Sequence, residues 1–455
     1  MKFNLNLFLP IVLSLALFGS LPSLPVFAQG GISFQKDANT KEITLKNSWV
    51  EAVFQALTMN RFQFGDEPFL HPIASATTPV GVGLTLFADH PLAGAAVLPL
   101  PTEYVVNVSP SPDHISADLY IATTTPTVVS VSRVATLSAK TTLLVVTTTI
   151  RNHGASPITF YPAEIIPFVG KISKEATSET DLLFYSPFAA GGEEKGYQII
   201  GGNADNPQFL SIREQNLFVT RYQHQAGRVK LTNDRGWIAA QSGEDIRACA
   251  IAYAFPARKP EAVKENLIVD CEGATASVPA GQAQSNKKDA PKRLRVTYVL
   301  GRVTLAPKET FTYTALWSAV TTIGPIFDVR QGIVYSKHLE VNIGKPDFQV
   351  FYVFAALGLP REGPVGFQFL DETGNIINTN YNISLLLDPQ NPRPGRAVVT
   401  YPTILTHMLA FPVELQEKMM KNTKTIRMVL LDENTKQPIR VIDESTGPWK
   451  VYEEK

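Results

Sequence analysis

The sequence predicts an all-β protein: a large antiparallel β domain followed by an immunoglobulin-like β-sandwich. Three observations predict it. Apolar and polar residues alternate over many short runs, the period of a half-buried strand. β-branched residues crowd those runs, as in residues 142–150. The 33 prolines and 29 glycines punctuate them, as frequent turns require. Helical spacing is confined to residues 412–420, where Pro412 opens a turn and Leu415 and Met419 stand four apart. A short helical turn between strands is expected there.

The chain opens with Lys2, an apolar run over 5–18, and Val26-Phe27-Ala28 with small residues at the two positions a signal peptidase reads. That is the pattern of a secretory leader, with cleavage expected after Ala28. The alternative, an N-terminal anchor helix, is opposed by Pro10, Pro22 and Pro25 and by the short run. No cysteine lies near the cleavage point to carry a lipid. Beyond residue 30 no stretch is long and apolar enough to span a bilayer, so a secreted or periplasmic location is expected. The 41 basic and 41 acidic residues cancel, which argues against a nucleic-acid partner. Hydrophobic residues at 44% and charged ones at 18% exclude disorder as a description of the whole.

Strands follow in order. Leu294, Val296, Tyr298 and Leu300 alternate with Arg293, Arg295, Thr297 and Val299. Phe311, Tyr313, Ala315 and Trp317 alternate with threonines after a turn at 306–309. Residues 276–292 are small, polar and strandless and read as a basic surface loop. A boundary is expected within 321–340, giving a leader (1–28), a large β domain (29–325) and a sandwich of about seven strands (326–455). New strands are expected by Asp347: Phe348–Phe354, then runs around Phe367, Leu385 and Met428. Asp371-Glu-Thr-Gly-Asn375 reads as a hairpin turn rather than a calcium loop, lacking the twelfth-position Glu.

The 2 cysteines, Cys249 and Cys271, both fall in strand-like runs. In an oxidising compartment a bridge between neighbouring strands is one reading. Two buried free thiols are the other. Without nearby histidine pairs they do not make a zinc set.

Four stretches resemble the galactose-mutarotase-like supersandwich: 42–53 with Asn47, the Arg151-Asn152-His153-Gly154 corner, Gly236 to Ala240, and 305–310 before a Trp-bearing strand. The resemblance covers about residues 40–320 and is closer to secreted bacterial branches of that family than to a working epimerase. It implies a supersandwich fold and sugar chemistry. The epimerases' acid and base are a His and a carboxylate, but no Asn-His-Ser-type segment is present. His153 sits in a corner and reads as a turn residue.

Glu164 is the catalytic candidate. It is a carboxylate inside the apolar run 161–168, where burial would raise its pKa and suit a general acid or base. The competing reading is a salt-bridged or sheet-edge glutamate. Tyr197, Asn203, Arg235 and Trp237, in or beside glycine-rich polar stretches, are the ligand-binding candidates. Aromatic faces stack on sugar rings while amides and guanidinium groups take hydroxyls. The competing reading is long hairpin loops. No nucleophile elbow, zinc-protease helix, phosphate loop or Cys-x-x-Cys occurs, so no metal or cofactor is expected. The leading functional reading is an exported, carbohydrate-associated binding protein of the cell envelope or beyond. The alternatives are a carbohydrate-active enzyme, epimerase or lyase/hydrolase-like, using Glu164, and a structural subunit of a surface assembly. Oligomeric state stays open.

Overall fold

The computed structural model describes residues 26–28 and most of 31–451; the longest stretches outside the description are 121–127, 170–181, 272–292, 344–350, 378–397 and 407–421. Nearly every described element is a strand. Among the described residues, two large sheets of 13 and 10 strands, with one small two-stranded sheet (Ile73–Ala74 and Pro79–Val80), carry residues up to 322; sheets of five and four strands carry the rest. The expected helical turn at 412–420, the basic loop at 276–292 and the strand around Leu385 lie outside the described residues.

The 10-stranded sheet is built on an antiparallel run of Val105–Pro110, His114–Tyr120, Val129–Ser138, Leu143–Asn152 and Thr310–Thr322. The period of two shows directly: Val131, Ala135 and Leu137 are buried, while Ser130, Ser132 and Thr136 are wetter. The 13-stranded sheet centres on Ile158–Val169 paired with Arg293–Val299. Ile166, Phe168, Leu294 and Val296 from this sheet share one core with Val146, Ala315 and Trp317 from the other. Each sheet thus buries its alternate apolar residues against its partner, at roughly 25 cal/mol per Å² of apolar surface.

Two asparagines hold the corners. Asn47 is buried; its Oδ1 accepts the backbone N–H of Trp49 and Val50 at 2.9 Å each, and its Nδ2 donates to Ser138 and Thr141 carbonyls of the opposite sheet. The stretch expected as one opening strand is therefore a hairpin, Ile43–Lys46 and Val50–Gln55, with Asn47 at its turn. Asn152 does the same at the second corner, accepting from Gly154 N–H and donating to the Ser156 and Leu305 carbonyls. A short polar side chain mimics a turn of backbone at both sites.

Of the two readings left open for the cysteines, a bridge or buried free thiols, Cys271 shows the second. Cys271 is a free, buried thiol paired in register with Gly227 and Leu294 of the 13-stranded sheet. Cys249 lies in Ala248–Ala254 of the 10-stranded sheet, between Ser242 and Thr321. The two strands are not neighbours, and the apolar surroundings push the Cys271 thiol well above its ordinary pKa.

The smaller sheets begin earlier than expected, at Asp328–Arg330 and Ile333–Ile343 rather than near 347. Gly363–Leu370 and Thr425–Leu431 are strands as expected, with Asp371 closing its hairpin turn by accepting from Thr373 and Asn375 N–H. Val329, Val334 and Ile326 pack on Trp237, Tyr185 and Val320 in a second core. That core covers the outer face of one half of the 10-stranded sheet. No helix among the described residues is long and apolar enough to cross a membrane.

Candidate functional site

Glu164 lies inside the large sandwich. In its strand it stands in a run where Ala163, Ile166 and Phe168 are also buried, and it is 2% exposed. Across the interior, Arg133 projects inward at a position where the alternation would otherwise put an apolar residue. Its guanidinium donates to Glu164 Oε1, and the Tyr313 hydroxyl donates to the same oxygen. Arg133 also donates to the Leu57 carbonyl at 2.8 Å. Burial opposes the Arg133 charge, but Glu164 more than offsets it and holds the guanidinium protonated. Burial first, then the Glu164 charge, raises the Tyr313 hydroxyl well above the ordinary tyrosine range. Among the described residues Glu164 Oε2 and Arg133 Nε find no hydrogen-bond partner. Chemically this is an ion pair that ties the two sheets across their core, with the carboxylate side chain 3% exposed.

The four ligand-binding candidates are not brought together as a site. Tyr197 is core: its ring meets Phe218 at 5.0 Å and its hydroxyl donates to the Phe209 carbonyl. Trp237 is 1% exposed and belongs to the second core, held by an Asn233 Nδ2 bond to its carbonyl at 2.7 Å. Asn203 is exposed, and its Oδ1 accepts from Asp205 N–H inside its own turn. Arg235 is exposed and donates to the Gln215 carbonyl. The glycine-rich, polar neighbours of Tyr197 and Trp237 suggest loops, but both residues stand in strands, Tyr197–Gly202 and Trp237–Ser242, and their ring area is spent on packing. His153 is an exposed corner residue whose Nε2 lies 2.7 Å from Ser130 Oγ.

A different group of residues forms a half-open charged cleft, of about 320 Å³, lined by Arg330, Gln331, Tyr335, Arg440, Asp443 and Glu444 among others. It sits where the Asp328–Arg330/Ile333–Ile343 hairpin meets Pro438–Thr446, the edge strand of the four-stranded sheet. Tyr335 donates to the Ile442 carbonyl at 2.5 Å and fixes the two strands. Arg330 Nε donates to Asp328 at 2.6 Å and its guanidinium lies 5.5 Å from the Tyr335 ring centre. His338 stacks on Tyr335 at 4.7 Å, with Nδ1 3.2 Å from Asp443 and Nε2 3.5 Å from Asp328. Burial lowers the His338 pKa, but the hydrogen bonds to Asp328 and Asp443 outweigh it and push it up to about 9. Asp328 and Asp443 are desolvated, yet hydrogen bonds from His338 hold both below the usual carboxylate range. Of these groups Asp443 and Tyr335 line the cleft, while Asp328 and His338 join it through their contacts with Arg330 and Asp443.

Little along the chain points to this cleft. Asp328, His338 and Asp443 are separated by as many as 115 residues and show no motif spacing. The one available signal was Asp443, a carboxylate between Ile442 and a charged neighbour in a strand that is otherwise read by its apolar residues. Among the described residues, no group of three or more histidine, cysteine or carboxylate side chains is arranged to hold a metal ion.

No family model matches the chain, and no curated protein matches it. Solved structures do resemble it. A Salmonella typhimurium protein provisionally assigned as a mutarotase aligns at 10% identity over 65% of this chain and 96% of its own, with a TM-score of 0.42. Galactose-mutarotase-like proteins from Lactobacillus casei and Clostridium acetobutylicum align at 12% and 9% identity, with TM-scores of 0.38 and 0.39. They cover 61% and 63% of this chain and 99% and 98% of their own. The chain is thus similar over a segment to the family its sequence motifs resemble.

Proposed function

We propose that this is an exported β protein of the cell envelope or exterior that binds carbohydrate without transforming it. In this reading residues 1–28 are a leader removed after Ala28, 29–325 form the large β domain, and 326–455 form an immunoglobulin-like domain carrying the ligand cleft. The observation that supports binding is the cleft itself, where exposed guanidinium, amide and carboxylate groups alternate in one concavity. Donors beside acceptors suit a polyhydroxylated ligand, each hydroxyl being both. Enzymatic use of Glu164 is disfavoured by its burial against Arg133. Asn203 and Arg235 remain surface groups available to an extended glycan, whereas Tyr197 and Trp237 serve the core.

The test is a glycan array probed with the processed chain. Binding that Arg330→Ala weakens at least about tenfold, with unchanged thermal stability, is the expected result. Silence across bacterial and plant glycans overturns the reading. Reducing-sugar release or anomer exchange abolished by Glu164→Gln would restore the enzyme alternative.

A further inference from the structure

The His338 group joins two sheets, and the way it does so depends on one proton. Along Ile333–Ile343 the register against Phe351–Gly358 shifts twice, between Tyr335 and Lys337 and between Lys337 and Glu340. The shifts lift residues 338 and 339 out of regular pairing. Leu339 N–H then donates to Asp443 Oδ2 at 2.7 Å, a carboxylate from the other sheet that also accepts from Glu444 N–H. His338, in the same bulge, faces Asp443 with one ring nitrogen and Asp328 with the other.

A neutral imidazole has one N–H and one lone pair. With a carboxylate at each nitrogen, the neutral ring would turn its lone pair toward a negative oxygen. Only the doubly protonated ring donates to both. Among the described residues the charged and titratable groups around it are Asp328 and Arg330 from one strand, Asp443 with its neighbours Glu444 and Arg440 from the edge strand, Tyr335 stacked on its ring, and the Lys337–Glu340 pair beside it on its own strand. Arg330 opposes the imidazolium charge, and the two carboxylates favour it.

We propose that Asp328, His338 and Asp443 form a latch that clamps the Pro438–Thr446 edge strand to the Asp328–Ile343 hairpin at neutral pH and releases it, loosening the cleft walls, as the medium turns alkaline. The closed state shares one imidazolium between two carboxylates. On deprotonation, Asp328 and Asp443 keep Arg330 as their common cation, at 2.6 and 3.9 Å, and lose the other. Asp443 and Arg330 also line the cleft, so the latch sets the geometry of the site proposed above. Its importance for ligand binding rests on that proposal; its existence does not.

The experiment uses the full processed chain. Histidine NMR should show His338 titrating near pH 9, as the two carboxylates require. Titration near 6.5 with both aspartates present overturns the latch. Hydrogen exchange at the Leu339 amide, corrected for intrinsic rate, should lose about tenfold protection between roughly pH 7 and pH 10. The Val146 amide of the large sandwich should hold its protection. His338→Gln should show the low Leu339 protection already at about pH 7, with little further change. Equal protection at both pH values, or full protection in His338→Gln, overturns the proposal. A glycan array run at both pH values separates the two readings. Exchange that changes with no glycan bound defeats the binding reading and keeps the latch; glycan bound with flat exchange does the reverse.

Discussion

Arg133 and Glu164 meet with 2% and 3% of their side chains exposed, whereas Arg330 and His338 keep 58% and 40%. Both groups tie one sheet to another with a cation and a carboxylate. They differ in what stands behind them. The first pair has no water to fall back on, so each charge depends wholly on the other. In the second the cations reach solvent while Asp328 and Asp443 keep only 13% and 3% of their side chains exposed, so water and salt act on the cation side of the group. The first is therefore a fixed structural element, and the second can respond to its surroundings.

Removing one member of the buried pair is the harshest way to break the comparison. Glu164→Ala or Arg133→Ala leaves an uncompensated buried charge and should cost about 3–5 kcal/mol in chemical denaturation. Replacing both together, as Arg133→Met with Glu164→Leu, should recover most of that loss. If the double variant is as unstable as the singles, the cost lies in packing and not in charge.

An uncharged corner sharpens the same point. Asn152→Ala removes two donated bonds and one accepted bond at a fully buried side chain, for about 1–3 kcal/mol. A loss no greater than that of an exposed asparagine such as Asn203 would show that water satisfies the corner instead.

At the half-open cluster the expected effects are smaller and depend on pH. The raised His338 pKa contributes stability that is complete below about pH 6.5 and is lost as pH rises through about 9. The lowered Asp328 and Asp443 values contribute stability present above the usual carboxylate pKa and lost as pH falls through their depressed values. His338→Gln should flatten the alkaline limb of the thermal-stability profile and leave the Glu164-dependent stability unchanged. Arg330→Ala removes a mostly exposed cation from the largely buried Asp328 and Asp443, which keep His338 as a partner, and should move stability by about 1 kcal/mol, less than Glu164→Ala. A thermal shift as large as that of Glu164→Ala would show that exposure does not separate the two regions.

Much of the architecture was legible along the chain. Alternation placed strands at 294–300 and 310–317. The buried face is correct at 311–317, but in the first strand Val299 and Thr297 are buried as well as Leu294, Val296 and Tyr298. The Asn152 corner and the turns at 306–309 and 371–375 are set by residues within a few positions of each other. Local spacing reports local geometry because the strand period is two and turn chemistry acts over two to four residues. The same logic misled at Tyr197 and Trp237, where glycine and polar neighbours suggested loops around rings that are packed in cores.

Glu164 shows the dividing line. Its sequence determined that a carboxylate would stand in a buried strand; whether that made an acid, a base or a tie depended on Arg133 and Tyr313, respectively 31 and 149 residues away. The cysteines divide in the same way, since both sit in strands but the sheets separate them. The Asp328–His338–Asp443 group could not be assembled along the chain, because Asp443 joins the other two from a different sheet, about a hundred residues later. Sequence determines what each residue can do with its near neighbours. Which distant charge faces it, and whether water stands between them, is decided by how the sheets pack, because that packing sets both the distance and the local dielectric.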